Sequence, residues 1–255
     1  MKHEAGVATT AALRGGELLR ADGVAVQYGG VRAIKSISLT VEEGRLVLIL
    51  GPNGAGKTSL LRALAGAVPL RSGRVMLAGH DVSRLPAHLR VKRGVSLVPE
   101  GRGRLPGLSV RDNLILGWQA APAGRRSVFA AELDRIFELF PVLRERMEQD
   151  CSTLSGGEMQ MLAIARGLLA KPLVLLLDEP SLGLAPRAIA RVYAALSKLN
   201  ASGLAMILVE QKSVPLPAER ETTIVLRNGE IRFQEDRRPS ASELAALYLG
   251  ERAAS

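Results

Sequence analysis

The sequence predicts an α/β fold, with a parallel-sheet core, an antiparallel β part near its start and a helical stretch inserted in its middle. Three observations predict it. Residues 46–50 and 173–177 are continuous apolar runs, the signature of strands buried on both faces. Residues 18 to 41 instead alternate, with Ile37, Leu39 and Val41 on one face, as half-buried antiparallel strands do. Between about residues 91 and 153, Leu133, Ile136, Phe137 and Phe140 fall at i, i+3, i+4 and i+7, the stripe of an amphipathic helix.

Residues 1–17 read as a flexible N-terminal tail, small and polar, without the apolar segment of a secretory signal. The remaining residues, 18–255, suffice for one well-buried domain, with the helical subdomain at about 91–154. Gly44 punctuates the chain before the first buried strand. A glycine-rich loop and a helix over 57–64 follow, and Ser72-Gly73 and Ala78-Gly79 bracket a short strand. Pro106, Pro122 and Pro141 cut the helical stretch into pieces. The core resumes with 173–177, a helix near 187–199 and a strand over 205–209. Asn228-Gly229, between apolar residues 224–226 and 231–233, is a strong hairpin signal.

Composition narrows the classes. Aromatics make up only 3% of the chain, so the core rests on Leu, Val, Ile and Ala. One cysteine, Cys151, excludes an intramolecular disulfide and a cysteine metal cluster. The 255 residues contain no apolar run of the roughly 18 residues a membrane-spanning helix needs. A net charge of +9 raises nucleic acid or an anionic membrane surface as partners. The basic residues are scattered, however, and not interleaved with stacking aromatics, so no nucleic-acid partner is expected.

Three segments carry chemistry. Gly51, Pro52, Asn53, Gly54, Ala55, Gly56, Lys57 and Thr58 match G-x-x-x-x-G-K-[ST] between a buried strand and a helix, with Ser59 next in line. Glycines let the backbone wrap a phosphate, so that N–H groups and the helix N-terminus point at the anion. Lys57 is placed to reach the β and γ phosphates of ATP, and the Thr58 hydroxyl to ligate Mg²⁺. Asp178 and Glu179 close a buried strand: Asp178 is a candidate Mg²⁺ holder, and Glu179 a candidate to polarise attacking water. Ser155, Gly156, Gly157 and Glu158, after Leu154, open a helix and offer a second anion site. Read alone, the same four residues make a plain capping box.

The conjunction and spacing of these segments resemble the ABC ATPase family over nearly all of residues 18 to 250. The resemblance implies a P-loop NTPase (RecA-like) core with an antiparallel β subdomain and an α-helical subdomain. It also implies a head-to-tail dimer in which Ser155 and Gly157 of one subunit close on the γ-phosphate held by Lys57 of the other. Tyr28, in V-Q-Y-G-G, matches the aromatic that stacks on adenine in this family.

Two positions depart from the commonest pattern of that family. Glu100, in V-P-E-G-R, stands where a glutamine is usual, and is expected to join the Mg²⁺ shell; its plain alternative is a surface pair with Arg102 or Arg104. Gln211, in V-E-Q-K, replaces the switch histidine and is expected to hydrogen bond near the γ-phosphate. The chain's histidines, His3, His80 and His88, all lie elsewhere. With D-E-P-S-L-G-L-A-P at 178–186 and Tyr248-Leu249-Gly250, these departures resemble the branched-chain amino acid importer ATPases of the LivF type. Leu105 and Lys212 differ from that type.

The resemblance implies a peripheral subunit on the cytoplasmic face of the inner membrane. Its partners would be two membrane permeases, a second ABC ATPase subunit and, indirectly, a periplasmic binding protein. Branched-chain or other hydrophobic amino acids are the expected cargo, with urea and short amides as alternatives. A nucleic-acid ABC ATPase would carry a coiled coil or zinc module between its motifs. Only 96 residues separate Lys57 from Leu154, without heptads or a cysteine cluster. A P-loop kinase would lack the S-G-G-E segment.

Overall fold

The computed structural model describes residues 16–103, 105–213 and 216–250. Its first sheet is four-stranded and antiparallel, built from β1 (Glu17–Tyr28), β2 (Val31–Glu42), β4 (Ser72–Leu77) and β5 (His80–Asp81) in the order β2-β1-β4-β5. The second contains β3 (Leu46–Leu50), β6 (Val95–Val98), β7 (Val174–Asp178), β8 (Ala205–Glu210), β9 (Glu221–Arg227) and β10 (Glu230–Glu235). Its order is β10-β9-β3-β8-β7-β6, parallel throughout except for the β9–β10 edge.

The apolar runs dictate this arrangement. Every residue of β3 and β7 is buried. Val47 and Ile49 face the antiparallel sheet and helix α1 (Lys57–Leu64), packing with Ile34, Ile37, Leu60 and Leu64. Leu46, Leu48 and Leu50 face the opposite way, against Leu162, Val192 and Leu196 of α6 (Gly156–Leu169) and α7 (Pro186–Ala201). The sheet is thus sandwiched between two cores. Each such side chain taken out of water contributes about 1.5–3 kcal/mol. The hairpin expected at Asn228-Gly229 joins β9 to β10, with φ of 51° and 75° at the two turn residues, as a tight two-residue turn requires.

The helical part holds α3 (Val110–Ala120), α4 (Phe129–Leu139), α5 (Pro141–Glu145) and α6. Ile136 and Phe140 are buried, and Leu133 and Phe137 pack beside them, as the stripe implied. Pro141 opens α5 at its first turn, where its missing N–H is harmless. The start of the helical region needs correction, however. Residues 95–98 form β6, which pairs with β7 inside the core sheet, so the helical insertion begins after Val98 and not near 91. Four residues interrupted by Ser96 are too short a run to stand out beside the basic helix α2 (Ala87–Arg93). Strand β1 begins at Glu17, within the tail expected over 1–17, whose first fifteen residues lie outside the described ones. A terminal helix, α8 (Ala241–Leu249), adds an element that the sequence pattern does not announce.

Strands β3, β8, β7 and β6 lie side by side and parallel, so the segments leaving their carboxyl ends emerge together: 51–56, 211, 179 and 100. The carboxyl ends of parallel strands are where open α/β sheets bind ligands.

Candidate nucleotide site

A cavity of about 820 Å³ opens at those strand ends. Asn53, Gly54, Ala55, Gly56, Lys57, Thr58 and Ser59 form one wall, and Glu100, Glu179 and Gln211 another, with Arg32, Lys35 and Asn228 at the side. Gly56 sits at φ 103°, and a Cβ there would lie 2.5 Å from the Ala33 carbonyl oxygen and 2.7 Å from Ile34 Cδ1. Only glycine fits between the loop and β2. The loop then runs into α1, whose first turn has no side-chain cap, so its N–H groups remain open to an anion.

Lys57 is buried, and its ammonium donates to the carbonyls of Gly51 at 2.8 Å and Pro52 at 3.1 Å. It also pairs with the Glu179 carboxylate at 3.3 Å. Glu179 is held from three directions. Its backbone has a left-handed φ of 44°, unusual for a non-glycine residue, and its N–H donates to the Val209 carbonyl at 3.0 Å. On its side chain, the Gln211 amide donates to Oε2 at 2.6 Å, opposite the Lys57 contact to Oε1.

Asp178 is the last residue of β7, paired in register with Val209. The Thr58 hydroxyl donates to its Oδ1 at 3.1 Å. Burial raises the Asp178 carboxyl to about 6; the Thr58 bond opposes the shift, and the charges of Glu100 and Glu179 add to it. A buried carboxylate beside a hydroxyl offers hard oxygen donors to a divalent cation. No cluster of three or more acidic, histidine or cysteine groups suited to a metal exists among the described residues. The Asp178 carboxylate and Thr58 hydroxyl are oxygen donors of the kind Mg²⁺ takes one or two of, completing its shell with water and phosphate.

The expected residues do not all meet. Ser155 caps α6, accepting from the Glu158 N–H while the Glu158 carboxylate accepts from the Ser155 N–H at 2.8 Å, the reciprocal capping box. Ser155, Gly156, Gly157 and Glu158 are not among the residues lining the cavity of their own chain. At Gly157 a Cβ would meet that of Ala188 at 2.7 Å, so this glycine also serves the contact between α6 and α7. Tyr28 is 44% exposed and ends β1 opposite Val31, which does line the cavity. Glu100 is exposed at the cavity wall; the side chains of Arg102 and Arg104, its alternative partners, lie outside the described ones.

Sequence reasoning missed two groups beside the site. Glu210, at the end of β8, is buried and accepts from the Tyr193 hydroxyl at 2.6 Å and the Ser181 N–H at 3.2 Å. Burial pushes its carboxyl up, against those hydrogen bonds. A strand ending in an acid was the available signal. Arg166 of α6 donates to Asn113 Oδ1 of α3 and to the Gly103 carbonyl, fastening the turn that carries Glu100 to α6.

Comparison with known proteins decides the family. The model of the ABC transporter family matches residues 34–182, more than half of the chain. The chain belongs to the ABC transporter ATPases. This ABC ATPase is 39% identical over 214 residues to the high-affinity branched-chain amino acid transport ATP-binding protein BraG of Pseudomonas aeruginosa, covering 84% of this chain and 91% of that one. It is 35% identical to the lipopolysaccharide export system ATP-binding protein LptB of Escherichia coli K12, covering 84% and 88%. It is 31% identical to the probable branched-chain amino acid transport ATP-binding protein LivF of Archaeoglobus fulgidus, covering 81% and 86%. Its fold is that of MJ1267, an ATP-binding cassette of an ABC transporter, with a TM-score of 0.78 at 23% identity, covering 92% of this chain and 98% of that one. No helix among the described residues is long and apolar enough to cross a membrane.

Proposed function

We propose that this chain binds Mg-ATP in the 820 Å³ cavity, closes on it as a dimer, and hydrolyses it to drive import of branched-chain or other hydrophobic amino acids. The observation that carries the hydrolytic part is the convergence of Lys57, Thr58, Asp178, Glu179 and Gln211 at adjacent strand ends. Open N–H groups of the phosphate loop and Lys57 would hold the β and γ phosphates. Phosphate oxygens entering the loop compete with Glu179 for the Lys57 ammonium, which frees that carboxylate to accept a proton from water. Gln211 keeps Glu179 aimed. Thr58 and Asp178 would hold Mg²⁺, with Glu100 at the edge of its shell; the ion supplies charge neutralisation for the transferred phosphoryl group.

Ser155, Gly156 and Gly157 would meet nucleotide from the partner subunit, since they lie off the cavity of their own chain. Tyr28 would stack on adenine at the edge of β1. Two permeases, a second ATPase of the family and a periplasmic binding protein complete the proposed importer, with this subunit on the cytoplasmic face of the inner membrane. The cargo follows from E-G-R after β6, Gln211 in place of histidine, Tyr248-Leu249-Gly250, and the relatives named for branched-chain amino acid transport.

The test is reconstitution of the chain with the membrane permeases that co-purify with it, in vesicles loaded with Mg-ATP. Uptake of leucine, isoleucine or valine above urea and short amides is expected. Uptake of urea alone would displace the amino-acid reading. Similarity to LptB makes lipopolysaccharide extraction the other arm of the same assay, and a positive result there would replace the importer reading.

A further inference from the structure

The Y-L-G stretch near the C-terminus has a place in the fold that hydrolysis by the residues above does not explain. Helix α8 is fixed at both ends. Ser240 caps it reciprocally with Glu243, and the Arg237 guanidinium grips Glu243 at 3.0 and 3.1 Å. At the other end Gly250 turns at φ 92°, closed by its N–H to the Ala246 carbonyl at 2.9 Å and covered by the Arg227 side chain. Leu247 is buried in the core on the α7 side of the sheet. Tyr248 is therefore presented from a rigid base.

Its hydroxyl reaches two catalytic segments at once. It donates to the Gln211 carbonyl at 2.7 Å, and the Gly51 backbone N–H lies beside the hydroxyl's own oxygen. Gly51 opens the phosphate loop after β3, and Gln211 follows β8, the strand beside it. The Gln211 side chain in turn donates to Glu179 at 2.6 Å. A carbonyl held from outside restricts the rotation of residue 211 and so the direction of its side chain. Burial also lifts the Tyr248 phenol to about 12, so it remains a donor at any working pH.

We propose that Tyr248 is a positioning residue: from the C-terminal helix, its hydroxyl clamps the Gln211 backbone against the start of the phosphate loop and so holds Gln211 on Glu179. This rests on the reading of Glu179 and Gln211 as the hydrolytic pair. The plain alternative is a half-buried tyrosine that merely satisfies its hydroxyl and adds packing.

Tyr248→Phe in the full-length chain separates them, because the ring stays and only the hydroxyl leaves. Hydrogen exchange should quicken about fivefold or more in peptides covering 46–58 and 205–213, with β6 and β7 unchanged. ATP affinity should stay within about twofold, while single-turnover hydrolysis slows about five- to twentyfold. On a Gln211→Ala background the same substitution should add no further loss, since both act through one side chain. Unchanged exchange in those peptides, or quickening spread evenly over the chain, would overturn the clamp. So would additive losses in the double variant. If the wild-type chain hydrolyses no ATP, the hydrolytic reading fails, and local exchange still decides whether the clamp exists.

Discussion

The Gln211 side-chain amide donates to the Glu179 carboxylate at 2.6 Å, and Lys57 meets the other oxygen of that carboxylate at 3.3 Å. Glu179 is thus orientated by one neutral and one charged donor, with Lys57 and Glu179 buried and Gln211 half-buried at the cavity wall. Each oxygen has a different partner, so each partner can be removed separately.

Glu179→Gln preserves the shape and can still meet Gln211, but it cannot take a proton. ATP should bind with affinity within a few-fold of wild type while turnover falls at least ~100-fold, the scale of a lost general base. Equilibrium nucleotide binding and steady-state hydrolysis check this together. Turnover near wild type would remove Glu179 from the chemistry.

Gln211 carries no proton that titrates at neutral pH. At saturating Mg-ATP, hydrolysis should therefore show no step near ~6.5 that depends on residue 211. Gln211→His should introduce such a step, because imidazole donates to Glu179 in one form and changes charge in the other. The measurement is kcat against pH from 5.5 to 8.5 for both chains. A wild-type step abolished by Gln211→Ala would contradict the role.

Much of this site was legible because its residues sit where strand and helix signals coincide. Five apolar residues followed by Gly51, and another apolar run ending in Asp178, locate the loop and the carboxylates without a structure. Strand β6 was hidden, since four residues with Ser96 among them give neither a long run nor a clean alternation. Helix α8 was hidden for another reason: its nine residues are rich in Ala and Leu, and only Leu247 among them is buried. The contacts of Tyr248 and Glu210 join residues 37 and 29 positions apart, and spacing along one chain does not encode such pairs.

Glu210 is a buried acid that the fold raises above its ordinary value, with burial as the main cause. For such a group the protonated form favours the fold, so its stabilising contribution is complete below the ordinary carboxylate range and is lost as pH rises through the folded value. Glu210→Gln keeps an oxygen for the Tyr193 hydroxyl and the Ser181 N–H, and its amide can donate to the Ser181 hydroxyl. The charge disappears. Thermal unfolding should show a Tm gain of about 2 °C or more at pH 8 that vanishes towards pH 4. A lower Tm at pH 8 would mean that the ionised form is stabilised in the fold.

Glu100 has two opposing effects on the proposed Mg²⁺ site, one through Asp178 and one on the ion itself, and one substitution separates them. Burial holds the Asp178 carboxyl at about 6 rather than 3.8, and the negative charge of Glu100 adds to that shift. Mg²⁺ needs Asp178 ionised, so metal affinity should rise as pH increases through about 6 and level off above it. Glu100→Gln removes a like charge from the neighbourhood, and the midpoint of that rise should move down. It also removes a carboxylate that attracts the cation, so the plateau affinity should weaken, by roughly three- to tenfold given strong screening at an exposed residue. Mg²⁺ titrations of nucleotide binding between pH 5 and 8 read both quantities from one data set. A lower midpoint with a weaker plateau places Glu100 at the metal. A lower midpoint alone limits it to shaping Asp178. With neither change, Glu100 belongs to the surface, and the V-P-E-G-R segment acts elsewhere than on the ion.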